Sequence, residues 1–462
     1  MKPWWPSCGE SPAPIPILVD VGGSADKLPS WYCERIAAFV EFALTQISRS
    51  KSTWRTKPLL AVNFVGTGKG GQFERKGEMA EAILAKLSRL VVSHDVDIVL
   101  VVADDAAMAA AQAKRPSAAW SDLENALQSK ADRLAERARA GELVLFLGAG
   151  ISQQAGIPTW TELLKKLAAC ACMSEAEQEA LANLPGLDAA TVLRSRTSPS
   201  DSQFRDSVAR LTHSDCFALG HALAAGLPIR ESVTTNYDDL FERASYAATG
   251  DRPSILPYDP SSVAKRWLLK LHGSVDNPQD IVLTRADYLR YESDRGALYG
   301  IVQAMLMTRH ILFVGFSLTD DNFHRLADEV RRALEGRKAD RPRLQHEQFG
   351  SALIPARDEL FRSLWADDLD LLTLGERPDF ARNVEIVLDY ILYKASALTS
   401  HLLDNTFAAG LDEQQRRIKE ALRKLTNELS AEDRQSATFA PIAKALAELG
   451  HRDDATDRAS PR

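Results

Sequence analysis

Leu143-Val-Leu-Phe-Leu-Gly148-Ala149-Gly150-Ile151-Ser152 reads as a buried strand that runs straight into a tight glycine turn. An unbroken apolar run suits a parallel strand covered on both faces. Glycine has no Cβ, so the backbone N–H groups after such a strand can approach a phosphate closely. Ser152 adds a hydroxyl donor at the same place. Gly156-Ile-Pro158 then turns the chain, and Thr159-Trp-Thr-Glu162 is a capping box. It opens a helix with Leu163, Leu164 and Leu167 facing inward. Alone, a Gly-x-Gly after a strand fits an ordinary tight turn as well as it fits a ligand.

Three further clusters weigh toward a ligand. Thr234-Thr235-Asn236-Tyr237-Asp238, Leu271-His272-Gly273-Ser274 and Val314-Gly315-Phe316-Ser317 each follow a short apolar run. The runs are Val233–Thr235, Trp267–Leu271 and Ile311–Val314, and Leu369–Leu374 is a further one. In an open parallel sheet, ligands bind outside the carboxyl ends of the strands. The expectation is therefore one crevice fed by four strand ends. An isolated His272 would read as a packed histidine; in this company it reads as a site residue.

The clusters Gly148-Ala-Gly-Ile-Ser152, Thr235-Asn-Tyr-Asp238, His272-Gly273 and Gly315-Phe-Ser317 together resemble the sirtuin NAD-binding fold. Within it they are most similar to the bacterial sirtuin-like NAD hydrolases of antiphage defence, over about residues 122–374. Ile281-Val-Leu-Thr-Arg-Ala-Asp-Tyr288 resembles that bacterial branch too. The resemblance implies an α/β fold with a Rossmann-like parallel sheet of the sirtuin type. It implies Gly148, Ala149, Gly150, Ser152, Thr235, Gly315, Phe316 and Ser317 as dinucleotide contacts, and Asn236, His272 and Asp238 as catalytic residues. NAD⁺ would be substrate, and the enzyme an NAD⁺ glycohydrolase, the NAD-depleting effector of an abortive-infection system. Two departures weigh against protein deacylation. No cysteine follows Cys216, so the zinc module of the deacylases is missing and no zinc is expected; Thr159-Trp160-Thr161 stands where the deacylases carry Asp-Phe-Arg. A lysine deacylase and a non-catalytic sensor of NAD or ADP-ribose derivatives stay as alternatives.

The chemistry suits these side chains. Nicotinamide leaves NAD⁺ as a neutral group, through an oxocarbenium-like state at the ribose C1′. An asparagine amide can hold a water or the ribose by hydrogen bonds. A histidine accepts a proton near neutral pH. Asp238 reads two ways: it orients the nicotinamide amide or counters the cation, or it caps a helix starting at Asp239. Asp320 and Asp321 read as the negative start of a helix from Asn322. Water as acceptor yields nicotinamide and ADP-ribose, or a cyclised form.

The remainder frames this unit. At 462 residues the chain is too long for one ordinary domain. The expected parts are a small α/β domain over 1–115, the NAD-binding domain over 120–376, a helical region over 379–450 and a disordered tail over 451–462. In the first part, Pro16–Asp20, Leu59–Val65 and Val96–Val102 read as strands alternating with helices. Its Gly66-Thr-Gly68-Lys-Gly70-Gly71 is either a phosphate cradle or a flexible turn, and lacks an ATPase-loop ending. Leu184 to His213 is poor in apolar residues and reads as a mobile loop or irregular lid. The net charge of −7 argues against broad nucleic-acid binding, and Arg325 to Arg343 reads as a solvated helix face. Cys8, Cys33, Cys170, Cys172 and Cys216 form no Cys-x-x-Cys pair, and Cys170 and Cys172 read as packing residues. Without a signal peptide or a spanning apolar run, the expected location is the cytoplasm, with no membrane contact. An unrestrained NAD hydrolase would starve its own cell. The resemblance therefore implies control through a homo-oligomer or a regulatory or sensor partner.

Overall fold

The computed structural model describes residues 16–21, 26–47, 55–68, 71–121, 123–196, 201–260, 265–338, 348–356, 359–376, 379–396 and 398–451. The chain divides into two compact units. One holds the described residues from 16 to 121 and from Ser396 to His451; the other holds those from Leu123 to Ala395. The region 379–450 therefore does not stay together. Its first helix, Phe380–Ala395, packs in the second unit, and the rest packs in the first. The segment 452–462 lies outside the described residues.

In the first unit, β1 (Leu59–Asn63) pairs in parallel with β2 (Asp97–Val101). Pro16–Asp20, expected as a third strand, makes no ladder; the sheet has two strands. Tyr32, Ile36, Val40 and Ala43 recur at helical spacing along Pro29–Ile47 and are buried. They pack in one core with Met79, Ile83, Leu87 and Leu90 of the helix Lys76–His94. A short 3-10 turn, Asn405–Gly410, lies against that same helix; a Cβ on Gly77 would meet Gly410 N at 2.6 Å. Of the glycine-rich loop, Gly66 accepts from Gln72 N at 2.9 Å, and residues 69–70 lie outside the described residues.

The second unit is a seven-stranded parallel sheet. Its strands are β3 (Leu143–Leu147), β4 (Glu231–Thr234), β5 (Ser254–Leu256), β6 (Trp267–Lys270), β7 (His310–Val314), β8 (Gly350–Ile354) and β9 (Leu369–Thr373). The order is β5-β6-β4-β3-β7-β8-β9. From β3 the chain adds β4 beside it, then the edge strand β5, then β6 between them, and returns to build β7, β8 and β9 on the other side. The order reverses around β3, and a reversal of this kind opens a crevice at the strand ends. β3, β7 and β8 are buried at every residue, as befits central strands covered on both faces. β5 and β8 escaped the sequence reading. β5 is three residues long, and β8 opens on Gly350-Ser-Ala, which carries little apolar signal.

Leu184 to His213 is not a loop. It forms the helices Gly186–Arg196 and Asp201–Leu211, with residues 197–200 outside the described residues. Leu193, Phe204 and Val208 are buried with Leu163, Leu167, Tyr237, Ile281 and Leu283, so few apolar residues suffice because each is used. Arg285 forks onto Asp188 at 2.9 and 3.0 Å and ties this helical layer to the start of the helix Arg285–Thr308. Cys170 and Cys172 are exposed rather than packed, because the helix ends at Cys170 and turns away. Among the described residues no helix is long and apolar enough to cross a membrane. Leu193→Ala is expected to cost about 3 kcal/mol, read as a lowered midpoint in urea denaturation; a change near zero would mean the segment is not packed.

Candidate functional site

β6, β4, β3 and β7 are neighbours, and each ends in one of the clusters read from the sequence. His272, Asn236, Gly148 and Gly315 therefore follow adjacent parallel strands. β6 and β3 are two strands apart, about 10 Å at the usual strand spacing. The four turns are bonded to one another. Gly148 N donates to Val314 O at 3.0 Å, Gly150 N to Gly315 O at 2.8 Å, Leu271 N to Thr234 O at 2.9 Å and Val275 N to Tyr237 O at 2.8 Å.

The glycines serve this contact first. A Cβ on Gly148 would meet Phe316 Cα at 2.5 Å, and one on Gly150 would meet Gly315 Cα at 2.8 Å. Gly315 itself sits at φ +66°, where side chains are strained. Gly148, Gly150, Ile151 and Ser152 all spend their N–H groups inside the protein. Ala149 N has no acceptor among the described residues, and Ala149 is exposed. Only that part of the expected phosphate cradle is open to a ligand here. Thr235, Asn236 and Gly315 are half-buried and Ser317 is exposed, its hydroxyl 2.7 Å from Thr319 Oγ1. Phe316 departs from its expected role as a dinucleotide contact. Its ring is buried against Phe146 at 4.7 Å and Phe323 at 5.3 Å, because an aromatic beside a central strand gains most by entering the core.

Ser152 is wholly buried and also departs from the reading as a ligand donor. Its hydroxyl donates to Asp238 Oδ2 at 2.9 Å and accepts from Asn236 Nδ2 at 3.2 Å. It lies 3.1 Å from His221 Nε2. His221 Nδ1 accepts from Ala218 N, so the ring proton sits on Nε2 and points at Ser152. Burial lowers the His221 pKa to about 4, against a smaller opposing pull from Asp238. Asp238 is buried with both oxygens engaged, Oδ1 on Leu240 N at 3.2 Å and Oδ2 on Ser152. That geometry favours its helix-start reading; the helix is Leu240–Thr249 and Asp239 its cap.

The knot decides how Asn236 points. Its Nδ2 donates to Gly148 O at 3.1 Å and to Ser152, which leaves Oδ1 buried without a partner among the described residues. A buried acceptor left bare is costly unless a ligand or water meets it. Of the two ends of the amide, the one Asn236 offers is thus the acceptor.

His272 is 6% exposed, between the rings of Tyr288 and Tyr291 at 5.6 and 5.8 Å. Burial holds its pKa below the usual value; Asp320 opposes this and Arg295 adds to it. Tyr291 OH and Arg295 Nη1 both donate to Leu271 O, at 2.7 and 3.3 Å, and so pin the residue before the imidazole. Lys270 sits one residue earlier. It is wholly buried and donates to Tyr237 O, Asp238 O at 2.6 Å and Glu242 at 2.7 Å, joining β6 to the Asn236 turn. His221, Lys270, Tyr288 and Arg295 were missed in the sequence. Tyr288 lay within a quoted stretch, but no spacing rule singles out the others. Among the described residues no group of three or more His, Cys, Asp and Glu side chains comes together to hold a metal.

Residues 230–369 match the family model of the SIR2-like domain. The chain carries a SIR2-like domain. The match covers β4 to the first residue of β9, with Asn236, His272 and Gly315, and begins after β3 and its glycine turn. Curated relatives agree in kind. An NAD(+) hydrolase ThsA of Enterococcus faecium is 29% identical over 204 residues, 43% of this chain and 42% of that protein. The NAD(+) hydrolase ThsA of Bacillus cereus (strain MSX-D12) is 27% identical over 198 residues, 41% of this chain and 40% of that one. Defense-associated sirtuin 2 of Bacillus subtilis is 22% identical over 307 residues, covering 60% of this chain and 30% of that protein. The chain thus spans well under half the length of these relatives.

The Ser152 knot makes a pH prediction. A histidine neutral when folded but free to protonate when unfolded favours unfolding as pH falls. The penalty starts near the unfolded pKa of about 6.5 and levels off near the folded value of about 4. Wild type is expected to lose about 3 kcal/mol more than His221→Gln between pH 7 and pH 4, read by urea denaturation at both pH values; parallel losses would contradict it.

Proposed function

We propose that this chain is an NAD⁺ glycohydrolase acting in bacterial defence against phage, with Asn236 and His272 at its reacting centre. The observation that carries the reading is the bare Oδ1 of Asn236, fixed beside the Gly148 turn and two strands from His272. An acceptor there suits the hydrogen of a water or a ribose hydroxyl, and an acceptor oxygen beside C1′ favours positive charge at that carbon. The exposed Ala149 and Ser317 and the half-buried Thr235 and Gly315 suit the dinucleotide, with the Ala149 N–H for a phosphate oxygen.

The C1′–N bond breaks with its electron pair leaving on nicotinamide. A water oxygen bonds to C1′, and its proton passes to His272, whose burial keeps it neutral and ready to accept. Nicotinamide, ADP-ribose and one proton result. Water has space close by: a cavity of about 450 Å³ is lined by Val282, Tyr291 and Arg295, and the Tyr291 ring packs on His272. Asp238 holds Asn236 through Ser152 in this scheme rather than touching nicotinamide. The names of the relatives, NAD(+) hydrolase and defense-associated sirtuin, supply the setting. Restraint by a partner or by self-association follows from the cost of NAD loss to the cell.

The protein is incubated with NAD⁺, with and without proteins encoded beside it, and the products are separated by chromatography. Wild type is expected to release nicotinamide. Asn236→Ala and His272→Ala are each expected to lose at least about 100-fold in rate with unchanged circular dichroism. Turnover retained in both variants would reject the assigned residues. Tightly bound NAD⁺ recovered intact would point to a sensor, and peptide deacylation matching NAD⁺ consumption one for one would point to a deacylase.

A further inference from the structure

We propose that Asp320 is the positioning residue of the His272 imidazole, and that Tyr288 tempers its hold by sharing the same carboxylate oxygen. The proposal rests on reading His272 as the proton acceptor. The sequence assigned Asp320 only to the start of a helix, and half of the carboxylate does that. Its Oδ1 accepts from Phe323 N at 2.9 Å, at the head of the helix Asp321–Lys338, which fixes the side chain. Its Oδ2 is turned the other way. It accepts the phenol proton of Tyr288 at 2.8 Å and lies 3.9 Å from His272 Nε2.

Both partners are shielded, the carboxylate 15% and the imidazole 8% exposed at the side chain. At this separation the pair is a charge contact rather than a hydrogen bond. It is weak while the imidazole is neutral and strong once Nε2 takes a proton. The groups facing His272 come from two elements. Tyr288, Tyr291 and Arg295 lie on the helix Arg285–Thr308, and Asp320 follows β7. Arg295 is spent on Leu271 O and Asp280 O and opposes an imidazolium; Asp320 favours one. When the base takes the proton of water, Asp320 is thus the anion that receives the new charge. The same two bonds hold the carboxylate in place before the proton arrives.

The test has two readings on the full chain. The His272 imidazole is titrated by NMR in ¹³C-histidine protein, its signal assigned by loss in His272→Ala. The pH profile of nicotinamide release is measured in parallel. Asp320→Asn is expected to move the titration, and the acid limb of kcat with it, down by about one pH unit. kcat is expected to fall at least about tenfold with little change in KM. Tyr288→Phe releases Oδ2 to the imidazole and is expected to move the titration upward. Asp320→Glu is expected to restore part of the wild-type position. Titrations that stay at the wild-type value in both Asp320→Asn and Tyr288→Phe overturn the proposal, whatever their activity. A wild type that releases no nicotinamide rejects the reaction instead, while the titration, read on folded protein, still decides the pairing.

Discussion

A serine hydroxyl has one proton and two lone pairs, and Ser152 uses all of them inside the protein. The proton goes to Asp238, and the lone pairs take the Asn236 amide and the His221 ring. This three-way bond matters more than its individual strengths, because it is directional. A reversed Asn236 would place its oxygen against the carbonyl of Gly148 and leave Ser152 short of a donor. The side chain therefore has one orientation, and its bare oxygen is a consequence of the packing around it. A buried network in which Ser152 is fully satisfied specifies geometry even where it adds little stability.

Charge in the unit is arranged around the same principle. Lys270 and Glu242 pair in the interior, and the ammonium spends its other protons on the carbonyls of Tyr237 and Asp238. Burial pushes the Glu242 carboxyl up, and Lys270 pulls it back. Such a pair offers little net stability but costs heavily when broken on one side. Its effect is to hold the β4 turn at a set height against β6. His221 stays neutral beside Ser152, whereas His272 has a carboxylate within reach. Burial lowers the pKa of both imidazoles, and the carboxylate nearest each opposes it.

Much of this was legible in the chain, and the limits have physical causes. Uniform apolar runs such as Leu143–Leu147 and Ile311–Val314 declare buried strands because no amphipathic surface explains them. The polar residues at their ends declare a crevice because polar groups cluster there only for a reason. Thr159 and Glu162 form the capping box that their spacing specifies. What the sequence concealed was direction. Gly148 and Gly150 read as room for a phosphate, yet the room is filled by Gly315 and Phe316. Ser152 and Phe316 sit in the right loops but turn inward. Pro16–Asp20 has strand composition without a partner, and Leu184 to His213 has loop composition with a core to join. The roles of His221 and Lys270 exist only through tertiary contact, since their partners lie far away in sequence.

The central position of β3 has a consequence for how the chain is made. β3 pairs with β4 on one side and β7 on the other, and both partners are synthesised after it. The Thr234 hydroxyl reaches back 87 residues to the carbonyl of Leu147. At ordinary rates of translation the nascent strand waits roughly 4 to 17 s for its first neighbour. A fully apolar ribbon with two open edges is, for that interval, the most adhesive part of the polypeptide. The helices between β3 and β4 emerge during the delay and are the first cover the strand can find before the ladder closes.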